Sequence, residues 1–230
     1  MCFSPTASFG ASIVLSVIGI AAIKKTNKKS QLMFASIPLV FGIQQLLEGV
    51  LWLALPNPEM INLQRYFTYS FIFVAQVIWP IWVPVSILLM KKNRNSVKFS
   101  IQKILVVIGV VVGCYLGFCL LNYHVEAKIF VRHIRYLQDY PQQFKIYFMF
   151  LYALATIIPP LFSPVKGMWL LSASILVAYV ITYIFYRQYV LSVWCFFSSI
   201  ISLSVYFIMF KVFDSETEKK HALIKKYFLS

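Results

Sequence analysis

ILVVIGVVVGCYLGFCLLNY, residues 104–123, runs for twenty positions without a charged side chain. About 20 helical residues cross the hydrocarbon core of a bilayer, with a workable range of roughly 17–25, so this run reads as a membrane-spanning helix. Six further apolar stretches cover 5–23, 31–55, 68–90, 147–162, 168–186 and 190–210. Together they predict an all-α polytopic membrane protein: seven transmembrane helices in residues 1–210, then a basic tail over 211–230. The stretch 147–162 is short, and Pro159-Pro160 removes two backbone donors near its end. Its helix is expected to kink there or to begin earlier, in the preceding segment.

Composition agrees. With 60% hydrophobic, 17% aromatic and 12% charged residues and a mean hydropathy of +0.79, the chain has too little polar surface for a soluble globule of this length. The net charge of +14 sits in short connections rather than on a folded face, so the expected partner is the lipid bilayer and not nucleic acid.

Fifteen of the 21 Lys and Arg residues follow the first, third, fifth and seventh stretches, and six lie on the other side. By the positive-inside rule the N-terminus is outside and the C-terminus, with its tail, is cytoplasmic. Ser4-Pro5 reads as an N-cap with proline at the first helical position. The lysines follow the first apolar run instead of preceding it, which predicts a retained first helix.

Glu48 is the only acidic residue within these stretches. A carboxylate at membrane depth costs on the order of 2.5–3.5 kcal/mol on insertion scales, so it should face protein or water and mark a functional site. Gln44, Glu48 and Trp52 recur every four residues on one helix face, and Gln45 lies three before Glu48. Glu48 is nearly five turns from the cytoplasmic start of its helix at Gln31, which puts it in the outer half. Gln76 reaches a similar depth in the third helix, above Trp79 and Trp82. Cys195, Ser198, Ser199, Ser202 and Tyr206 share one side of the seventh. By analogy with seven-helix bundles, helices one, two, three and seven are expected to surround a single outward cavity bearing these groups. Trp52 also fits an interfacial anchor, and Glu48 a protonated helix lock without a ligand.

Between the fourth and fifth stretches, Val125, Ile129, Ile134 and Leu137 follow a loose helical spacing that predicts an interfacial helix. Arg132, His133 and Arg135 in this segment are candidate lid or gate residues; contact with lipid phosphates is the alternative. Ser8, Ser12 and Ser16, like Gly109, Gly113 and Gly117, have the small-xxx-small spacing of close helix contacts. Cys114 and Cys119 read as packing residues. Cys2 and Cys195 both fall near the outer face, where a disulfide or shared metal ligation stays open without support from spacing. No CxxC, HxxxH or HExxH pattern occurs, so no metal site or cofactor is expected.

The opening Met-Cys-Phe-Ser-Pro-Thr-Ala-Ser-Phe, with Pro38, Gly42, Gln44, Gln45, Glu48, Gly49 and Trp52, resembles a family of uncharacterised bacterial multi-spanning membrane proteins. The match is strongest over the first fifty-odd positions. The resemblance implies a bacterial inner-membrane protein and draws attention to Cys2, Ser4, Gln45 and Glu48; it brings no activity with it. Three function classes remain. The first is an outward pocket around Glu48 for a small polar or cationic ligand, used in transport or permeation, with Gln44, Gln45 and Gln76 as hydrogen-bonding walls. The second is a membrane enzyme acting on a lipid or other hydrophobic substrate, and the third a sensor or assembly subunit without catalysis.

Overall fold

The computed structural model describes residues 4–90, 97–130, 133–163, 165–185 and 197–212. The first helix, α1 (Pro5–Lys24), starts as the sequence predicts: Ser4 Oγ accepts from the Ala7 amide at 3.2 Å, and Pro5 occupies the first turn. After a short turn, α2 (Lys29–Ala35) leads into α3 (Ile37–Ala54), the two forming one apolar run broken locally at Ser36, ahead of Pro38.

The next run begins with a short 3-10 turn (Pro58–Met60) and continues as α4 (Ile61–Phe73), a π-helical segment (Val74–Ile78) and α5 (Trp79–Leu89). It starts well before position 68, because Gln64 Nε2 donates to the carbonyls of Ala54 and Asn57 at 2.9 and 2.8 Å and ties the polar first turns to the end of α3. Next come α6 (Val97–Asn122), α7 (Gln142–Ile157) with a closing 3-10 turn (Pro159–Phe162), and α8 (Met168–Phe185). The last described helix, α9, covers Phe197–Val212. The double proline ends α7, as expected, and the helix starts earlier than position 147. Carbonyls freed by this break are taken up by side chains: Gln102 Nε2 donates to Pro159 at 2.6 Å and Ser172 Oγ to Ile157 at 2.6 Å.

Six helical runs are long and apolar enough to cross a membrane, and α9 is a shorter apolar helix among the described residues. The chain is a multi-pass helical membrane protein. The interfacial helix expected between α6 and α7 does not form. The segment between α6 and α7 is a β-hairpin, β1 (Val125–Phe130) antiparallel to β2 (His133–Gln138), with Val125 opposite Gln138 and Phe130 opposite His133. Val125 and Ala127 turn inward while Lys128 stays exposed, which is a period of two rather than of 3.6.

Among the described residues, two apolar clusters hold the bundle. The larger joins α1, α2, α3, α5, α8 and α9 through residues such as Leu15, Phe34, Phe41, Trp79, Leu171 and Val205. The smaller lies beneath the hairpin, where Leu51, Trp52, Phe71, Ile72 and Leu120 meet Val125, Ala127 and Ile134. Trp52 is only 8% exposed there, so it is a core residue rather than an anchor facing the interface.

Small residues set the closest approaches. Ser12 Oγ donates to the Gly42 carbonyl at 2.8 Å, and a Cβ on Gly42 would stand 2.7 Å from Ser16 Oγ. The serine face of α1 is therefore spent against α3. On α6, a Cβ on Gly109 would collide with the Pro80 carbonyl, one on Gly113 would meet Ile81 at 2.8 Å, and one on Gly117 would touch Val77 at an ordinary 3.5 Å.

Candidate functional site

Pro80 creates the local geometry from which the site is built. The Trp79 amide reaches back five residues to the Val74 carbonyl, opening one π turn. The Ala75 carbonyl then has no amide to accept from: Trp79 is engaged with Val74, and the next residue, Pro80, has no N–H. Tyr152 fills the gap, its hydroxyl donating to Ala75 O at 2.7 Å from across α7.

Gln76 lies in this π turn. Its Nε2 donates to Gln138 Oε1 at 3.0 Å, and its Oε1 accepts from the Tyr140 hydroxyl at 3.3 Å. One side chain thus links the mid-membrane break to the end of the hairpin. Burial raises the Tyr140 pKa above the ordinary phenol range, so the hydroxyl stays protonated and able to donate.

Beside this network is a cleft of about 1020 Å3. Arg135, Gln138, Tyr140, Gln142 and Lys145 line it toward the hairpin, while Gln44, Gln76, Tyr152 and Thr156 line it deeper in the bundle. Tyr152 lies seven residues beyond Lys145 along α7, about 10 Å further in at 1.5 Å per residue. Tyr115, Phe148, Tyr179 and Tyr183 add aromatic wall, with Tyr115 and Phe148 stacked at 3.6 Å between ring centres.

Gln44 is 1% exposed, and its Oε1 accepts from Trp79 Nε1 at 2.9 Å while Trp79 stacks on Phe41 at 4.0 Å. Gln45 and Glu48 are as deeply buried, at 1% and 0%, but they do not line the cleft. Trp52 lies in the cluster under the hairpin, and Ser198 is buried in α9. Among the described residues nothing from α1 or α9 lines the cleft, so the expected ring of helices one, two, three and seven is replaced by α3, the π turn, α6, α7, α8 and the hairpin.

Of the three lid candidates, Arg135 lines the cleft, with its guanidinium 5.5 Å from the Phe130 ring centre. His133 sits at the start of β2, where burial lowers its pKa and favours the neutral ring. Arg132, Cys195 and Cys2 lie outside the described residues. Cys114 is exposed on α6 and Cys119 buried. Among the described residues, no group of three His, Cys, Asp or Glu side chains is placed to hold a metal.

Sequence reading missed Gln138, Tyr140, Lys145, Tyr152 and Thr156. Tyr152 and Thr156 are one turn apart, yet only the packing of α7 beside the π turn gives them a role. The available signal was Pro80: a proline within a membrane helix leaves a carbonyl that some donor must satisfy.

A family model described as a family of unknown function (DUF6629) matches residues 1–220. Neither a curated protein nor a solved structure matches the chain.

Proposed function

Because the chain belongs to the DUF6629 family of unknown function, we propose from geometry alone that it captures a small polar ligand in the cleft from the outer side of a bacterial inner membrane, for transport or permeation. The observation that carries this is the cleft of about 1020 Å3, lined by glutamine and tyrosine side chains within the bundle and by basic ones at its rim. Gln76, Gln138 and Tyr140 form a hydrogen-bonding wall already held in place by their mutual contacts. The hairpin is its roof.

Charge narrows the ligand. The cleft is lined by Arg135 and Lys145, with no carboxylate among its described lining residues, which favours a neutral or anionic ligand over a cation. Glu48 shares the α3 face of Gln44 one turn outward and is buried without lining the cleft.

Orientation rests on the distribution of Lys and Arg, and packing supports an odd number of spans. Lys25 Nζ lies 5.0 Å from the Phe210 ring centre, which brings the C-terminal ends of α1 and α9 to the same face. That is the relation expected of the first and last of an odd number of spans, whichever way the bundle faces.

The test is ligand-dependent stabilisation of the purified protein, using carboxylates, phosphate esters and neutral polyols as probes. A ligand at 100 times its Kd adds about 2.7 kcal/mol of stability. We expect at least one class to raise the unfolding midpoint of the wild type and to lose that effect in Gln76→Leu. No shift in any class, or a shift that persists in Gln76→Leu, contradicts the reading.

A further inference from the structure

The cleft, at about 1020 Å3, is just above the roughly 300–1,000 Å3 typical of small-molecule sites, and its walls differ chemically. Toward the hairpin it offers Arg135, Gln138, Tyr140 and Lys145; apart from the Gln44, Gln76, Tyr152 and Thr156 patch deeper in, the rest of its wall is mainly rings and aliphatic side chains, including Phe148, Met149 and Tyr179. Several lining residues also face the outside of the bundle: Ile146 is 72% exposed, Met149 37% and Tyr183 41%. In a membrane protein those surfaces meet acyl chains, so the cleft is continuous with the hydrocarbon as well as with the hairpin end.

We infer that the ligand of this cleft is polar at one end only: an anionic amphiphile, its charged headgroup held by Arg135 and Lys145 and its hydrocarbon part laid along the wall between α7 and α8. This rests on the cleft being a ligand site. Arg135 and Lys145 make no ion pair with a described carboxylate; the ion pair of the hairpin joins Lys128 to Glu126 at 2.9 Å. Two cations at the edge of a low-dielectric cleft favour an anion, and the guanidinium fork suits carboxylate or phosphate oxygens. The first turn of α7 adds partial positive charge at the same rim, since Pro141 precedes it without a side-chain cap. A soluble anion would satisfy the rim but leave the apolar wall empty. A neutral lipid would do the reverse.

The experiment uses the full-length protein in a neutral detergent, with native mass spectrometry counting bound molecules. Phosphatidylglycerol, phosphatidylcholine with the same acyl chains, and glycerol phosphate are each titrated. The expected result is half-occupancy by phosphatidylglycerol at a concentration about tenfold or more below that of phosphatidylcholine. In Arg135→Gln/Lys145→Gln that preference should disappear, whereas Lys128→Gln should keep it. Lys145 is exposed on α7, so Lys145→Gln alone carries the test if the double variant does not fold. Equal retention of the two lipids, or a preference that survives loss of both cations, overturns the inference. Glycerol phosphate binding as tightly as phosphatidylglycerol also overturns it, by assigning the rim to a soluble anion. If polar probes still stabilise the protein through Gln76 while phosphatidylglycerol shows no preference, only the ligand class fails and the ligand site stands.

Discussion

At Pro80 the chain lacks one backbone donor, and the effect reaches the cleft. The π turn this proline accompanies leaves the Ala75 carbonyl to Tyr152 and aims Gln76 at Gln138 and Tyr140. Removing the Tyr152 hydroxyl while keeping its ring isolates this one contact. Tyr152→Phe should lower stability by about 1–3 kcal/mol, the cost of a buried polar group left unsatisfied, read as a lower unfolding midpoint in detergent. A midpoint equal to the wild type would show that the carbonyl needs no donor. Some of this was legible beforehand. Gln44 and Gln76 stand out as amides in apolar helices, but the partner of each lies on another element: Trp79 for Gln44, and Gln138 and Tyr140 for Gln76. Glu48, the most conspicuous residue in the sequence, is buried and does not line the cleft. Periodicity gives the face of a helix but not which neighbour covers it.

Among the elements, α5 and α6 show how glycine spacing becomes close packing. Gly109 faces the Pro80 carbonyl and Pro84, leaving no room for a methyl group, whereas Gly117 has ordinary contact distance to Val77 at 3.5 Å. Gly109→Ala should therefore cost about 1–3 kcal/mol through overpacking, and Gly117→Ala should be close to neutral. Paired thermal unfolding curves check this, and equal behaviour of the two variants would contradict the packing described. The small-residue spacing was readable in advance; the roof was not. Val125, Ile129, Ile134 and Leu137 suggest a helix only if Ala127 is passed over. Counting it as apolar gives alternation with Glu126 and Lys128, and the strand becomes visible. Likewise α4 begins ahead of its apolar core because Gln64 holds the carbonyls of the preceding turn, a contact that hydropathy does not register.

For the molecule as assembled, hydropathy was sufficient for class and nearly sufficient for the spans, because the bilayer fixes both length and composition. It could not give the order of helices around the cleft. Helices one and seven, placed there by analogy, contribute no described residue to this cleft: the serine face of α1 is packed on α3, while α9 joins the core with α1 and α8. What α7, α8 and the hairpin form instead is a roofed cleft, apolar on one side and basic at its rim. The account stands on that cleft being wet and reached from outside the cell. The direct measurement replaces Cys2, Cys114, Cys119 and Cys195 with serine, introduces Gln76→Cys, and adds a membrane-impermeant maleimide to right-side-out vesicles. Gln76→Cys should be labelled from the outside, while Val107→Cys, 61% exposed on the apolar surface of α6, should stay unlabelled. A Gln76→Cys protein as inert as Val107→Cys, or reached only from the cytoplasmic side, would contradict the account.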